Sequence, residues 1–559
     1  MKRRTLLGAA AATLASCTVP AAPVSPSASP RALLASLSLE QRAGQVMAIA
    51  FHGPSVTSAV EEMIRTRAVG GIVLRAENAV DASALAKICD DLRRIASSAK
   101  VPPLFIAIDQ EGGSVVRVGR GMTVLPGQMA LAASADPAAA VRRAAAITAE
   151  ELAAAGVNWN FAPVADVNDE PLNPIIGNRA YGSDPQRVST LVEAAVRAYA
   201  GAGFLCCAKH FPGHGSATVD SHVGLPLIAA DRARLDRVEL APFRAAIAAG
   251  VPAIMVAHLI VPALDPTPSL PVSLSRRVTT DLLRTDLGFK GIVVTDDLEM
   301  GALAPIGEAP AAVRALQAGA DLALFRFDES AQREGHRLIV EALRSGALSA
   351  AALDASTARL LEAKERYGIL ERRATRGTDP NANGAFALDL ARQTITLVRN
   401  DRVLPLRGRV YAISTTAADL TPLPGESDLA TELGKARPDT IVRRVGERVS
   451  DEIISSAAKE AEPADVIVAG VADIGINESQ RRLVARLAAL RPTVLVSLRG
   501  PYDVLAAPNV AGWVCAYNGR APSVRATIEV LTGARKPTGS LPVAVSERYP
   551  IGTGLRDFA

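Results

Sequence analysis

The sequence is poor in aromatic residues and has only five cysteines among its 559 residues. Phe, Trp and Tyr make up 4% of the chain, whereas Gly (42) and Pro (36) are abundant, which favours an α/β protein with many tight loops over a β-sandwich. No two cysteines have CxxC spacing, so neither a zinc ribbon nor a disulfide scaffold is supported. We expect Cys89, Cys206, Cys207 and Cys515 to be buried free thiols.

An excess of charge of one sign is also missing. The 61 Lys and Arg residues nearly balance the 57 Asp and Glu residues, and no long basic run occurs, so nucleic acid is a poor candidate for a partner. The chain contains no GxxxxGK[ST] phosphate-binding loop and no repeat of fixed period. Because single hydrophobic cores stop growing near ~250–300 residues, at least two domains are expected.

The N-terminus, residues 1–17, is typical of an export signal. A basic start precedes an apolar run from Leu6 to Leu14, which is too short to remain as a membrane-spanning helix. The Leu-Ala-Ser-Cys sequence ending at Cys17 resembles a lipobox, which predicts lipidation of this cysteine. We therefore expect a membrane-anchored lipoprotein facing the periplasm or the cell exterior, with a Pro/Ser/Ala tether over residues 18–33. An uncleaved N-terminal tail is the alternative.

Short apolar runs alternate with longer amphipathic segments over residues 34–370. The runs show little polar alternation, as expected of parallel strands buried on both faces. Eight such units predict a (β/α)8 barrel of the TIM type, with a doubly wound sheet as the alternative because spacing does not fix strand order. The predicted strands are 46–51, 71–74, 104–109, 157–164, 205–210, 253–258, 291–296 and 322–327.

A second, smaller α/β sandwich domain is predicted over residues 386–559. A polar segment rich in Gly, Pro and Asn, residues 371–385, is expected to be the linker that precedes it. Four apolar runs then predict parallel strands at 410–414, 466–471, 494–498 and 510–517.

The densest group of chemically active residues is KHFPGHGSATVDSH, residues 209–222, which holds three of the six histidines. Its Pro and Gly residues predict a strand end that opens into a loop. Three interpretations compete: a zinc site, a loop held together by its own polar groups, and acid–base catalysis in which Asp220 orients and charges His222. The histidine spacings do not match a helical HExxH zinc site.

A second group is the strand end at Asp296 and Asp297, in VVTDDLEMGAL. Neighbouring strand residues point to opposite faces, so Asp296 is expected to face the barrel mouth. Asp297 is expected to be a helix N-cap. Ionisable residues at the carboxyl ends of strands indicate the active site of a barrel enzyme, and here they are Asp109, Asp166, Lys209, His210, His258 and Asp296.

Two further segments carry side-chain hydrogen-bond donors that are expected at the same carboxyl end of the barrel. In IDQEGGSVVR, Asp109 ends a strand, and a turn at Gly112 and Gly113 is expected to let Arg117 return toward the mouth. A simple turn with solvated charges is the alternative. In GNRAYG, Arg179 carries forked donors suited to a ligand oxygen. Together with the carboxylates, these groups suit a polyhydroxylated ligand better than an apolar one.

These motifs resemble family-three glycoside hydrolases, specifically the β-N-acetylglucosaminidase (β-hexosaminidase) branch, in a two-domain exported form. KHFPGHG with the following DSH, IDQEGG, GNRAYG and VVTDDLEMGAL match that branch in content, order and spacing. ITLVRNDRVLPL and KPTGSLPV resemble segments of the family's second domain.

The resemblance implies a retaining exo-glycosidase that hydrolyses terminal β-linked N-acetylglucosamine from peptidoglycan fragments or chitooligosaccharides. Asp296 would be the nucleophile that forms a covalent glycosyl-enzyme, His222 the acid/base and Asp220 its partner. No metal or organic cofactor is required. The residues implied to bind the sugar are Asp109, Arg117, Arg179, Lys209, His210 and His258.

Two alternatives follow from the same residues. A histidine base is neutral and does not repel an anion, so a β-N-acetylglucosaminide phosphorylase on the same site stays open. A non-catalytic sugar-binding lipoprotein is the alternative of another class, although binding alone requires no nucleophile paired with an acid.

Overall fold

The computed structural model describes residues 29–371, 377–416, 419–421, 423 and 426–559. The predicted signal segment and its Cys17 therefore lie outside the described residues, as does most of the predicted tether. Among the described helices, none combines the length and apolar character needed to cross a membrane.

A closed barrel of eight parallel strands forms the first domain, with the strands adjacent in chain order, so the barrel is confirmed and the doubly wound sheet is not observed. The barrel strands are β1 (Met47–Ile49), β2 (Gly71–Leu74), β3 (Phe105–Ile108), β4 (Trp159–Asn160), β5 (Leu205–Phe211), β6 (Ala253–Val256), β7 (Ile292–Asp297) and β8 (Leu322–Phe325).

Helices alternate with these strands and continue into the second domain. They are α1 (Pro30–Ser36), α2 (Leu39–Gln45), α3 (Ser58–Arg67), α4 (Ala82–Ala99), α5 (Gln128–Ala133), α6 (Pro137–Ala154), α7 (Pro185–Gly201), α8 (Arg232–Arg237), α9 (Ala241–Ala248), α10 (Glu308–Ala318), α11 (Glu329–Ser345), α12 (Ala350–Arg366), α13 (Pro380–Thr394), α14 (Leu429–Ala436), α15 (Asp451–Ala461), α16 (Glu478–Ala488), α17 (Asp503–Ala506) and α18 (Ala521–Leu531). A π-helix covers Arg277–Asp286, and 3₁₀ turns cover Gly177–Arg179, Val272–Leu274 and Gly301–Leu303.

The strand predictions are right in number and place but too long at several carboxyl ends. The predicted strand 157–164 is reduced to the two residues of β4. Pro163 lies inside that segment, and because proline has no N–H it cannot continue a ladder. The predicted strand 253–258 likewise ends at Val256, so His258 leaves the sheet. These early exits place polar residues in the loops at the barrel mouth.

The second domain is built on a six-stranded sheet in the order β11-β10-β12-β13-β14-β9. All neighbouring pairs are parallel except β14 and β9, which are antiparallel. The strands are β9 (Thr396–Asn400), β10 (Val410–Thr415), β11 (Ile441–Val445), β12 (Val466–Val471), β13 (Thr493–Ser497) and β14 (Gly512–Cys515).

The four predicted strands of this domain are confirmed, but both edge strands, β9 and β11, escaped the sequence prediction. Edge strands need burial on fewer sides, and β11 alternates exposed and half-buried residues, so it lacks a continuous apolar run. The predicted linker over 371–385 is also wrong in its second half. Helix α13 begins at Pro380, capped by Asp379, and its Asn383 is buried against the barrel, where it donates to Glu151 Oε1 (2.9 Å).

The cysteines at 89, 206, 207 and 515 are all buried and free, as predicted. Their burial in the apolar interior raises the thiol pKa values, which keeps these side chains in the uncharged form.

Candidate active site

The predicted site residues converge at the carboxyl ends of the barrel strands. Asp109 follows β3, Lys209 and His210 lie near the end of β5, and Asp296 is the penultimate residue of β7. Parallel strands in a closed barrel end at one rim, so residues far apart in sequence meet there.

Asp109 is the centre of a buried ion network at this rim. Its carboxylate accepts hydrogen bonds from Lys209 Nζ (2.7 Å), Arg75 Nη1 (3.1 Å) and Arg117 Nη2 (3.2 Å). Burial by itself would raise the pKa of Asp109, but the three cations lower it well below its ordinary value. Arg117 thus returns to the rim after the turn at Gly112 and Gly113, and there it contacts Asp109.

Glu111 forms a second ion cluster that the sequence analysis did not single out. Its Oε1 lies 2.7 Å from Lys209 Nζ, and both carboxylate oxygens accept from Arg179 at 2.9 Å. Although burial opposes ionisation, the charges of Arg179 and Lys209 lower the pKa of Glu111 to about 2. The only local signal was its position two residues after Asp109 in the IDQEGG motif.

Arg179 is the bidentate partner of Glu111. Its Nε and Nη2 bind the Glu111 carboxylate, and its Nη1 donates to the Ile175 carbonyl at 3.1 Å, while its expected role in sugar binding stays a prediction. The physical reason for the pairing is that a carboxylate buried to 2% exposure requires a charged partner, and the bidentate guanidinium provides one.

The predicted cap role of Asp297 is wrong. The Asp297 carboxylate instead accepts both hydrogen bonds of Arg75 Nη2, at 2.5 and 2.6 Å. The next turn, Gly301–Leu303, starts after Met300 and has no side-chain cap. Arg75 follows β2, so its ion pair with Asp297 joins the ends of β2 and β7 at the rim. The same guanidinium also binds Asp109 and so links the two carboxylates.

Asp296 differs from these paired acids. It is the one residue of β7 that is not fully buried. Among the described residues its carboxylate has no ion-pair partner, and the Asp297 amide donates to it at 2.8 Å. Burial opposes ionisation of Asp296, but the nearby His210, His258 and His222 lower its pKa, so it is an anion at neutral pH.

His222 and Asp220 form an exposed pair on the loop after β5. Asp220 Oδ1 accepts from the His222 amide (2.9 Å) and lies 2.8 Å from its Nδ1. The hydrogen bond to Asp220 raises the pKa of His222 against the effect of partial burial, and the charge of Asp296 adds to the increase. Since Nδ1 faces Asp220, Nε2 is the ring nitrogen that remains for proton transfer.

The loops carrying Asp296 and His222 pack directly on each other. The Gly301 amide donates to the His222 carbonyl (3.2 Å), and the Ala302 amide donates to the Ser221 carbonyl (3.2 Å). A Cβ atom on Gly301 would lie only 2.7 Å from the His222 oxygen, which explains a glycine at this point of the DDLEMG motif. The close approach brings the loop of the Asp220–His222 pair beside the end of β7.

The three histidines of the 209–222 segment have separate partners. His210 Nδ1 lies 2.7 Å from Asp166 Oδ2, whereas His214 Nε2 lies 3.0 Å from Ser221 Oγ. Burial lowers the pKa of His214 to about 4, so its imidazole is neutral. Within the part of the chain that the structure describes, no three His, Cys, Asp or Glu side chains are arranged to hold a metal ion, which leaves the zinc interpretation without support.

His258 is enclosed by its neighbours, and its expected role in sugar binding stays a prediction. It is 0% exposed, its Nδ1 lies 2.7 Å from Ser273 Oγ, and its Nε2 lies 3.1 Å from the Asp297 carbonyl oxygen. The contact with the Asp297 carbonyl holds His258 against the last residue of β7, next to Asp296.

Similarity to known proteins extends over nearly the whole chain. Residues 38–363 match the glycosyl hydrolase family 3 N terminal domain, and residues 395–550 match the glycosyl hydrolase family 3 C-terminal domain. Beta-hexosaminidase A of Pseudoalteromonas piscicida is 31% identical over 549 residues, covering 87% of this chain and 91% of the relative. The beta-hexosaminidase of Thiobacillus denitrificans is 40% identical over 262 residues, covering 46% of this chain and 71% of the relative.

A solved structure extends the similarity to both domains. The glycoside hydrolase family 3 beta-N-acetylglucosaminidase from Paenibacillus sp. has a TM-score of 0.87 and 35% identity, and the match covers 91% of this chain and 99% of that one. Both domain models and a relative matched over most of its length lead to one conclusion: this chain belongs to glycoside hydrolase family 3.

Proposed function

We propose that the protein is a retaining exo-β-N-acetylglucosaminidase that hydrolyses terminal β-linked N-acetylglucosamine from peptidoglycan fragments or chitooligosaccharides. The observation that carries this proposal is the contrast at the barrel rim. Asp109, Glu111 and Asp297 are bound by cations, whereas Asp296 is partly exposed, ionised and close to the His222–Asp220 pair. The identity of the sugar, N-acetylglucosamine, is inferred from the names of the relatives.

In the first step, a carboxylate oxygen of Asp296 attacks the anomeric carbon while the bond to the aglycone oxygen breaks. His222 gives its Nε2 proton to that oxygen, and Asp220 stabilises the imidazolium beforehand. In the second step, neutral His222 takes a proton from water, the water oxygen attacks the anomeric carbon, and Asp296 leaves as a carboxylate. The two displacements at one carbon retain the β configuration.

The ion network around Asp109 is the proposed sugar-binding wall. A carboxylate accepts hydrogen bonds from sugar hydroxyls, and the N–H groups of Arg117 and Lys209 donate to them. These side chains are already held by one another, so little ordering free energy is lost when the sugar binds. His210 lies on the same rim and is oriented by Asp166.

Changing Asp220 to Asn is expected to move the alkaline limb of kcat/KM to lower pH. His222 acts first as an acid, so activity falls as it loses its proton, and the hydrogen bond to Asp220 raises its pKa. Asparagine keeps an oxygen for the His222 amide but removes the negative charge, which lowers the pKa of His222. A pH–rate profile of both proteins with a chitooligosaccharide, whose leaving group needs the proton of His222, measures this shift. An alkaline limb at unchanged pH would show that Asp220 does not set the pKa of the acid.

The central test is aryl release from p-nitrophenyl N-acetyl-β-glucosaminide against the matching β-glucoside, using protein without residues 1–17. Clear preference for the N-acetyl sugar supports the proposal, and preference for the glucoside places the protein in another branch of the family. No release from either substrate would favour the sugar-binding alternative.

The imidazole acid/base also supports a second candidate, a phosphorylase on the same site. The base in the second step is neutral His222, so an anionic acceptor is not repelled as it would be by a carboxylate. Repeating the assay with inorganic phosphate distinguishes the two: formation of a glycosyl phosphate identifies the phosphorylase, and free N-acetylglucosamine alone identifies the hydrolase.

We further propose that the protein is an exported lipoprotein anchored through Cys17. The support is the lipobox-like sequence alone, since this residue lies outside the described ones. Changing Cys17 to Ser is expected to move the protein from the membrane fraction to the soluble fraction after cell fractionation. Unchanged membrane association of the variant would contradict lipid anchoring at this position.

A further inference from the structure

One buried arginine of the second domain binds the barrel loop that follows β3. Arg520 precedes α18 and is 1% exposed. Its Nε donates to the Gly113 carbonyl at 2.7 Å, and its Nη2 donates to the Ser114 carbonyl at 3.4 Å. The same Nη2 donates to the Thr421 carbonyl at 2.7 Å, so the guanidinium joins the barrel loop to its own domain.

The segment around Thr421 binds the same loop a second time. The Thr421 amide donates to the Ser114 carbonyl (3.0 Å), and Thr421 Oγ1 accepts from the Val116 amide (2.9 Å). Ser114 Oγ also donates to Asp419 Oδ1 (3.0 Å). Backbone groups of a barrel loop are thus satisfied by the second domain, as strand partners would satisfy them.

Glu111 and Arg117, whose side chains contact Lys209 and Asp109 at the rim, flank the loop segment that the second domain binds. Glu111 precedes Gly113 by two positions, and Arg117 follows Val116. The Arg117 amide is further fixed by Gln110 Oε1, at 2.9 Å. A displacement of the loop would therefore move both side chains away from Lys209 and Asp109, where they complete the sugar-binding wall.

A third contact joins the second domain to the residue before Arg179. Asn178 Nδ2 donates to the Tyr517 carbonyl (2.6 Å) of the second domain and to Ser114 Oγ (2.7 Å) of the loop. Asn178 immediately precedes Arg179, the partner of Glu111. Both members of the Arg179–Glu111 pair thus lie within two positions of residues that the second domain holds, Asn178 and Gly113.

We propose that Arg520 is a positioning residue, through which the second domain fixes the loop of residues 110–118 and so sets the affinity for the sugar. Arg520 lies outside the barrel pocket and acts through Gly113 and Ser114. Without it, the loop must be ordered when substrate binds, which costs affinity and leaves the chemistry at Asp296 and His222 in place. The inference rests on the proposed function for its substrate only.

The test compares Arg520→Met with Arg392→Met. Arg392 binds Glu529 of α18 (2.7 and 2.8 Å), so its loss weakens the same domain without touching the loop. We expect Arg520→Met to raise KM by about tenfold with a smaller change in kcat, less than the roughly hundredfold loss that a displacement of 1 Å can cause. Arg392→Met is expected to lower Tm and leave KM unchanged.

Hydrogen exchange gives a readout that does not depend on the substrate. Amides of residues 110–118 are expected to exchange faster in Arg520→Met than in the unchanged protein or in Arg392→Met. If Arg520→Met does not fold, Thr421→Val replaces it. This change removes the hydroxyl that accepts from the Val116 amide and from Arg520 Nη2 and donates to the Ser114 carbonyl, but it leaves the Arg520 side chain in place, so a smaller increase in the same two quantities is expected.

Unchanged KM and unchanged loop exchange in a folded Arg520 or Thr421 variant would overturn the proposal. So would an equal increase of KM in Arg392→Met, because that result indicates general loss of stability. If the unchanged protein prefers the β-glucoside, the proposed sugar is wrong, and KM for the glucoside then serves the same comparison. Faster exchange of the loop tests the role of Arg520 even if neither sugar is cleaved.

Discussion

Replacing Asp296 by alanine is expected to lower kcat by about 10⁴-fold or more, because no other group is placed to form the glycosyl-enzyme. The side chain is partly exposed, and its one described hydrogen bond comes from a neighbouring backbone amide. Its removal therefore breaks no ion pair of the rim, and we expect Tm to change little. The measurements are kcat with the aryl N-acetyl-glucosaminide and thermal unfolding of both proteins.

Azide provides the decisive control for this variant. A small anion can enter the space left by the carboxylate and attack the anomeric carbon, which restores aryl release and yields the α-glycosyl azide. Glu299→Ala, which removes an exposed acid three residues further along the chain, is the matched variant and should keep full activity. Retained activity in Asp296→Ala, or a β-glycosyl azide as product, would assign the nucleophile elsewhere.

Replacing His222 by alanine is expected to have an effect that depends on the leaving group. The aglycones of alkyl glycosides and chitooligosaccharides are poor leaving groups as anions and require a proton. We therefore expect kcat/KM for these substrates to fall by ~10²–10⁴-fold. A nitrophenolate leaves without a proton, so formation of the glycosyl-enzyme from the aryl substrate should be much less affected. The ratio of kcat/KM for the two substrate kinds measures the effect.

His52 offers a matched control for this comparison. It is an exposed histidine that follows β1 and stacks on Phe327, outside the Asp220–His222 pair. His52→Ala is expected to leave the ratio of the two substrates unchanged. Equal losses of kcat/KM on both substrates in His222→Ala would show that His222 is not the acid and has only a structural role.

Much of this site could be predicted from the sequence because its signals are local. An apolar run predicts a buried strand, and a polar residue at its end predicts a position at the barrel rim, which correctly places Asp109, Lys209, His210 and Asp296. The Asp220–His222 contact is equally local, since the two residues are two positions apart.

The contacts that the sequence did not reveal join residues that are distant in the chain. Asp297 is expected to be a helix cap because aspartate is a common N-cap residue, but its partner Arg75 is 222 positions away. Glu111 was overlooked because its importance depends on Arg179, 68 positions further on. The burial of His258 is likewise a property of its packing, since by its position after a strand it resembles the other rim residues.

The sequence by itself determined the fold class, the order of the two domains and the rim residues, since each follows from the spacing of apolar and polar residues along a short segment. Only the tertiary structure decided which rim acids form ion pairs and that Asp296, among the described residues, forms none. It also placed Arg520 on a loop 407 positions away. The physical reason is that a buried charge must find a partner in space, and the distance along the chain does not limit which residue supplies it.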